Sequence, residues 1–207
     1  LLDHMLLNSD NTATDALLKL AGGPVKVQAA IKTFGIDGLR VDRYERDLQA
    51  QALGLEPNPA FADPAALDAA LKALSEAKQK EALARYLRDP RDTASPRAIA
   101  TLIVKLVGGH LIQPRFAMIL LDLMRRTRTG EDRLNGGMTP GWTFARRGGT
   151  SRTIQGTTAI FNDAGLATHK NGDKIAIALF IESATLAPAE LARFHRAVAR
   201  SVLQAWS

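Results

Sequence analysis

Residues 9–27 read SDNTATDALLKLAGGPVKV, and the order of signals in this stretch decides how the rest of the chain is read. Ser9-Asp10-Asn11 by itself is a common helix start, because a short polar side chain there accepts from the free N–H groups of the first turn. Ala13, Ala16, Leu17 and Leu20 recur at helical spacing, so an amphipathic helix is expected over 12–20, stopped by Gly22-Gly23-Pro24. Pro24 then opens a second helix over 25–34, which Gly35 ends. Upstream, Leu1, Leu2, Met5 and Leu6 already keep a helical period, so the chain reads as the downstream part of something longer.

Downstream, residues 40–49, RVDRYERDLQ, are dense in charge and fit neither period; an ordered loop is expected. Pro57, Pro59 and Pro64 punctuate the next segment, and Asp63-Pro64 is a cap with a first-turn proline. An alanine-rich helix, with room for one break, is expected from about 65 to 87, so residues 50–88 read as a helical insertion. Ser95-Pro96 starts an apolar helix over 97–107 closed by Gly108-Gly109, and another runs over 116–126 with arginines in its last turn. After the turn-rich stretch 127–141 the period changes to two, giving strands over 142–147, 157–166 and 174–181. Asn171-Gly172-Asp173 is a tight turn between the last two, and an amphipathic helix fills 188–206. Helices, then an antiparallel meander, then a helix make an α+β chain. Its expected division is a helical subdomain over 1–140 and a strand-and-helix unit over 141–207.

Composition narrows the function classes. The 207 residues are 46% hydrophobic and 23% charged, enough for a sizeable core. The net charge of +6 is spread along the chain in clusters no longer than Arg125-Arg126 or Arg146-Arg147, and with 5% aromatics a nucleic-acid partner is not expected. There is no cysteine, and His4, His110, His169 and His195 have no metal-binding spacing, so no disulfide, metal or cofactor is expected. No apolar run approaches the roughly 20 residues a membrane span needs.

The ordered set of motifs resembles the class A serine β-lactamases, within the broader group of penicillin-binding serine hydrolases. Beyond Ser9-Asp10-Asn11, the matching residues are Arg43-Tyr44-Glu45 with Gln49, Arg91-Asp92-Thr93 before Ser95-Pro96, and Thr129-Gly130. Pro140-Gly141-Trp142, then Arg147-Gly148-Gly149-Thr150 on a strand, then Asn162-Asp163 complete it. The resemblance implies a β-lactamase-like α+β fold and hydrolysis of a β-lactam through a serine ester. The family's serine and lysine precede its Ser-Asp-Asn, so the nucleophile is expected upstream of Leu1, and residues 1–207 alone are expected to be inactive. The sole Ser-x-x-Lys here, Ser75 with Lys78, comes after that motif inside the insertion and is rejected.

By resemblance, Ser9 relays a proton to the leaving nitrogen and Glu45 is the base for the deacylating water. Asn11 holds the substrate's acylamide and Gln49, an asparagine in most members, helps to hold the water. Arg43 and Asp92 pair to pin the Glu45 loop. Arg147 stands where the family has lysine and would hold the substrate carboxylate, with Arg133 able to share it because Gly148 lacks the usual hydroxyl. Gly149, Thr150 and Ser151 line the substrate strand, with the Thr150 N–H in the oxyanion hole. The insertion either reshapes access to the site or packs outside it. The alternatives are a related acyl hydrolase or peptidase, or a β-lactam sensor that turns over poorly. The expected partners are a small β-lactam or acyl substrate and the N-terminal remainder of the same protein. A periplasmic or secreted location is what the resemblance implies.

Overall fold

The structure, a computed structural model, describes residues 1–206 apart from the side chain of Ala62. Its first helices form where local signals put them. α1 (Leu2–Asn8) ends at Ser9, which takes a left-handed φ of 56°, and Asp10 caps α2 (Asn11–Leu20) by accepting the Ala13 N–H at 2.9 Å. Gly22, at φ 95°, turns the chain into α3 (Gly23–Thr33).

The loop expected over 40–49 is corrected from Glu45 onward, where α4 (Glu45–Ala52) begins. Tyr44 precedes it and offers no side-chain cap. Asp15 on α2 supplies one instead, accepting the Glu45 N–H at 2.6 Å and the Arg46 N–H at 3.3 Å. A carboxylate at a helix N-terminus also meets the positive end of the macrodipole. The cap comes from thirty residues earlier, so no local pattern shows it.

The insertion holds a 3₁₀ turn (Pro59–Ala62), α5 (Pro64–Ala73) and α6 (Glu76–Tyr86). The helix expected over 65–87 has one break, at Leu74, which divides it into α5 and α6. Ser75 Oγ accepts the Lys78 N–H at 3.4 Å, so this exposed Ser-x-x-Lys is a helix cap. Gln79 Nε2 donates to Leu71 O and Leu74 O at 3.2 and 3.1 Å, fixing the corner between α5 and α6.

α7 (Pro96–Val107) and α8 (Pro114–Arg126) lead to an antiparallel sheet of β1 (Trp142–Thr150), β2 (Thr153–Ile154), β3 (Thr157–His169) and β4 (Lys174–Ala184). β3 lies between β1 and β4, and the short β2 pairs with the start of β3. β1 extends three residues past its expected end, because Gly148 and Gly149 pair with Asp163 and Asn162 on β3. α9 (Pro188–Trp206) closes the chain.

Alternation along the strands sorts the core into two layers. Phe144, Ala167 and Ile177 pack with Ala199 and Leu203 of α9. Ala145, Ala164 and Leu166 face the other way, onto Ile103 of α7 and Met124 of α8. Arg146 on the α9 side is buried with Asp163, its Nη1 lying 3.9 Å from Oδ1. Arg146 also donates to Thr129 O and Thr127 O, and Asp163 accepts the Leu134 N–H, so the pair fastens residues 127–134 to the sheet. Among the described residues no helix is long and apolar enough to cross a membrane.

Candidate active site

Two connections bring distant parts of the sequence together. On the edge strand β1, Arg147 points away from α9 and towards the end of α1. Its Nη2 donates to Ser9 Oγ at 2.6 Å and to Met5 O at 3.2 Å, with Nη1 lying 3.5 Å from Thr129 Oγ1. A hydroxyl that accepts from a guanidinium keeps its own proton free for another acceptor. Burial, and after it the neighbouring Arg146 charge, lower the Arg147 pKa from the usual arginine value. Asn11 lies exposed in the first turn of the adjoining helix.

The second connection fixes the Glu45 segment. Arg43 Nε donates to Asp92 Oδ2 at 2.6 Å, while Asp92 Oδ1 accepts the N–H groups of Asp42 and Arg43 at 2.6 and 3.0 Å. Arg43 Nη1 reaches Gln51 Oε1 at 2.7 Å and lies 3.2 Å from Asp89. The Asp89 carboxyl is held far below the usual carboxylate range, first by its hydrogen bonds from the Arg91 side chain. Both ends of the insertion are thus clamped at one point. Beyond the clamp, Glu45 Oε1 accepts from Gln49 Nε2 at 2.8 Å, leaving the Gln49 carbonyl oxygen free to accept elsewhere.

Glu45 and Gln49 line one side of a cleft of about 190 Å³, with Gly149, Thr150 and Ser151 on the other. Ser151 is tied down there: its Oγ accepts the Ile160 N–H at 3.0 Å and its own N–H donates to Ile160 O. Gly149 is open, with no atom within 4 Å of the place a Cβ would take. Gly148 is crowded. A Cβ there would stand 3.0 Å from Arg133 Nη1 and 3.1 Å from Asn162 O.

Arg133 accounts for that crowding. It is buried over the face of Phe161, 3.9 Å from the ring centroid, and donates to Gly149 O at 3.1 Å, Asn162 O at 2.7 Å and Thr150 Oγ1. The Arg133 guanidinium thus fills the space a larger side chain at 148 would take. Sequence reading misses three supports of the site, namely Asp15, the Gln51–Asp89 backing of Arg43, and the insertion residues Leu83 and Tyr86 that line the cleft. All act between residues distant in sequence, so no spacing rule points to them.

Comparison with known proteins identifies the family and the fold. A model of the beta-lactamase enzyme family matches residues 1–206. Beta-lactamase FAR-1 of Nocardia farcinica is 29% identical over 171 residues, which is 83% of this chain and 42% of that protein. A β-lactamase structure from Chitinophaga pinensis superposes with a TM-score of 0.75 at 24% identity, covering 99% of this chain and 63% of that one. A class A representative from Bacteroides cellulosilyticus gives a TM-score of 0.72 at 21% identity, over 98% of this chain and 61% of that one. The chain thus spans less than two thirds of the proteins it matches. It belongs to the beta-lactamase enzyme family and has the class A fold.

Proposed function

We propose that the complete protein hydrolyses β-lactams through a serine ester, with nucleophile and lysine contributed from outside residues 1–207 and with Glu45 as the base for deacylation. The observation that carries this reading is the placement of Glu45. Its backbone is capped by Asp15, its carboxylate is held by Gln49, and it faces Gly149–Ser151 across the cleft. A water between Glu45 and the free Gln49 carbonyl oxygen gives its proton to the carboxylate as it attacks the ester carbonyl. The Thr150 N–H, with that of the nucleophile, stabilises the oxyanion. In acylation Ser9 passes a proton to the departing nitrogen, and the Arg147 cation at its oxygen favours release of that proton. Asn11 holds the acylamide.

Arg147 also attracts the substrate carboxylate, with Arg133 behind it in the place of the hydroxyl that Gly148 lacks. Arg147→Ala should lower kcat/KM by about 1–3 kcal/mol of transition-state binding while hardly changing Tm. Unchanged kinetics on carboxylate-bearing substrates would assign that contact elsewhere.

The second reading, an acyl hydrolase for another substrate, is favoured by one feature: Arg147 already spends donors on Ser9 and Met5. Nitrocefin separates the two. The complete protein should turn it over repeatedly, without a persistent mass adduct. A stable adduct without turnover would make the protein a β-lactam sensor, and neither adduct nor turnover would leave the other acyl hydrolase.

A further inference from the structure

The insertion does not pack away from the site. α6 lies against β2, and Leu83 and Tyr86 on α6 line the same cleft as Glu45 and Thr150. Facing them are Ile154 of β2 and Ala159 of β3. Leu83, Tyr86, Ile154 and Ala159 give the cleft an apolar lining, beside the polar Glu45, Thr150 and Ser151 and the cation of Arg152. Tyr86 is half-buried there; burial, and then the Glu45 carboxylate, raise the pKa of its phenol.

Two contacts tie the two walls together. Arg152 Nη1, just after β1, donates to Asp68 Oδ1 of α5 at 2.7 Å. Gln155 Nε2 lies 3.4 Å from Oε1 of Gln79, the residue that fixes the α5–α6 corner. Gln155 makes this contact from a left-handed φ of 47° in the turn to Gly156, a conformation unusual for a residue other than glycine, asparagine or aspartate. The contacts are exposed and individually weak, so their effect is on the distance between the walls rather than on stability.

We propose that α5 and α6 form a specificity element: Leu83 and Tyr86, with Ile154 and Ala159 opposite, make an apolar subsite for an aromatic or branched apolar acyl substituent, and the Asp68–Arg152 bridge sets its width. The inference rests on the acyl-transfer reading above. A substrate whose carbonyl lies between Glu45 and the Thr150 N–H directs its acyl substituent along the cleft towards these residues. An apolar group there loses contact with water on both faces. A charged group would lose hydration there, and the one cation beside it, Arg152, is already paired with Asp68.

The test compares kcat/KM of the complete protein for benzylpenicillin, which carries a phenylacetyl group, with that for the unacylated penicillin nucleus. Leu83→Trp fills the subsite and should reduce the preference for benzylpenicillin by about tenfold or more. Asp68→Arg sets two cations against each other and should shift the same ratio. Adding Arg152→Asp should bring it back. Asp68 and Arg152 are exposed, so these variants keep the question open to test even where Leu83→Trp fails to fold. An unchanged ratio in folded Leu83→Trp, or in Asp68→Arg, overturns the subsite and leaves the hydrolase reading intact. Failure of the unaltered protein to hydrolyse either compound overturns both.

Discussion

Arg43–Asp92 and Asp68–Arg152 are both arginine–aspartate pairs at nearly the same distance, 2.6 and 2.7 Å, yet they hold the cleft in different ways. The first pair is buried, with side chains 8% and 11% exposed, and Asp92 also accepts two backbone N–H groups. The second has side chains 43% and 49% exposed and a single hydrogen bond. Distance alone does not rank them. A largely buried carboxylate that holds three hydrogen bonds cannot lose its partner without leaving a desolvated charge, whereas an exposed pair exchanges its partner for water. The Glu45 side of the cleft is therefore fixed, and the insertion side is adjustable. That division suits the two proposed roles, a base at Glu45 that must not move and a wall that selects substrates.

The strongest way to break this contrast is Asp92→Ala. It removes the partner of Arg43 Nε, leaving Gln51 and Asp89 on Nη1, and strands the N–H groups of residues 42 and 43; it should cost about 3–5 kcal/mol, or a fall in Tm of roughly 10 °C or more. A fall no larger than that of a surface substitution would erase the distinction.

Arg146–Asp163 sharpens it, because it is the most buried pair but poorly closed at 3.9 Å. Burial raises the Asp163 pKa from 3.8 to about 6 and, being the largest influence on Arg146 as well, lowers that group. A carboxyl whose folded pKa is raised contributes stability that is full below its unfolded value of 3.8 and is lost as pH rises through about 6. Between pH of about 4 and 7 the unaltered protein should therefore lose Tm relative to Asp163→Asn, a comparison that cancels most of the other titrating groups. A difference independent of pH would mean that Asp163 is ionised throughout.

The smallest effect belongs to the exposed pair. Asp68→Ala should change stability by no more than about 1 kcal/mol, a Tm shift of about 2–4 °C at most. A loss comparable to that of Asp92→Ala would show that the insertion is as firmly held as the Glu45 segment.

Legibility in the sequence divides along the same line between local and distant contacts. The Asp10 cap, the Pro24 and Ser95-Pro96 starts and the Asn171-Gly172-Asp173 turn act within a few residues, and each feature lies where its spacing puts it. The motif order locates the cleft residues because each motif sits on a local element. α4 reads as a loop because its cap, Asp15, belongs to another helix. β1 reads as ending early because two glycines argue against strand until β3 is there to pair with them. The side taken by the insertion depends on Asp68 meeting Arg152, two residues without a common motif.

The central claim is that Glu45 activates the water that frees the enzyme. Acylation uses the serine, while deacylation needs a water deprotonated beside the ester, so the two steps respond differently to the loss of this base. Glu45→Gln keeps the side chain's size, and the clamp through Arg43 and Asp92 keeps the segment in place. The measurement is the intact mass of the complete Glu45→Gln protein after exposure to a β-lactam, taken with its steady-state rate. The account predicts an adduct with the mass of the bound drug, an initial burst, and turnover reduced on the order of a hundredfold or more. Turnover within about twofold of the unaltered protein, with no trapped adduct, would contradict it, since a general base cannot be lost at so small a cost.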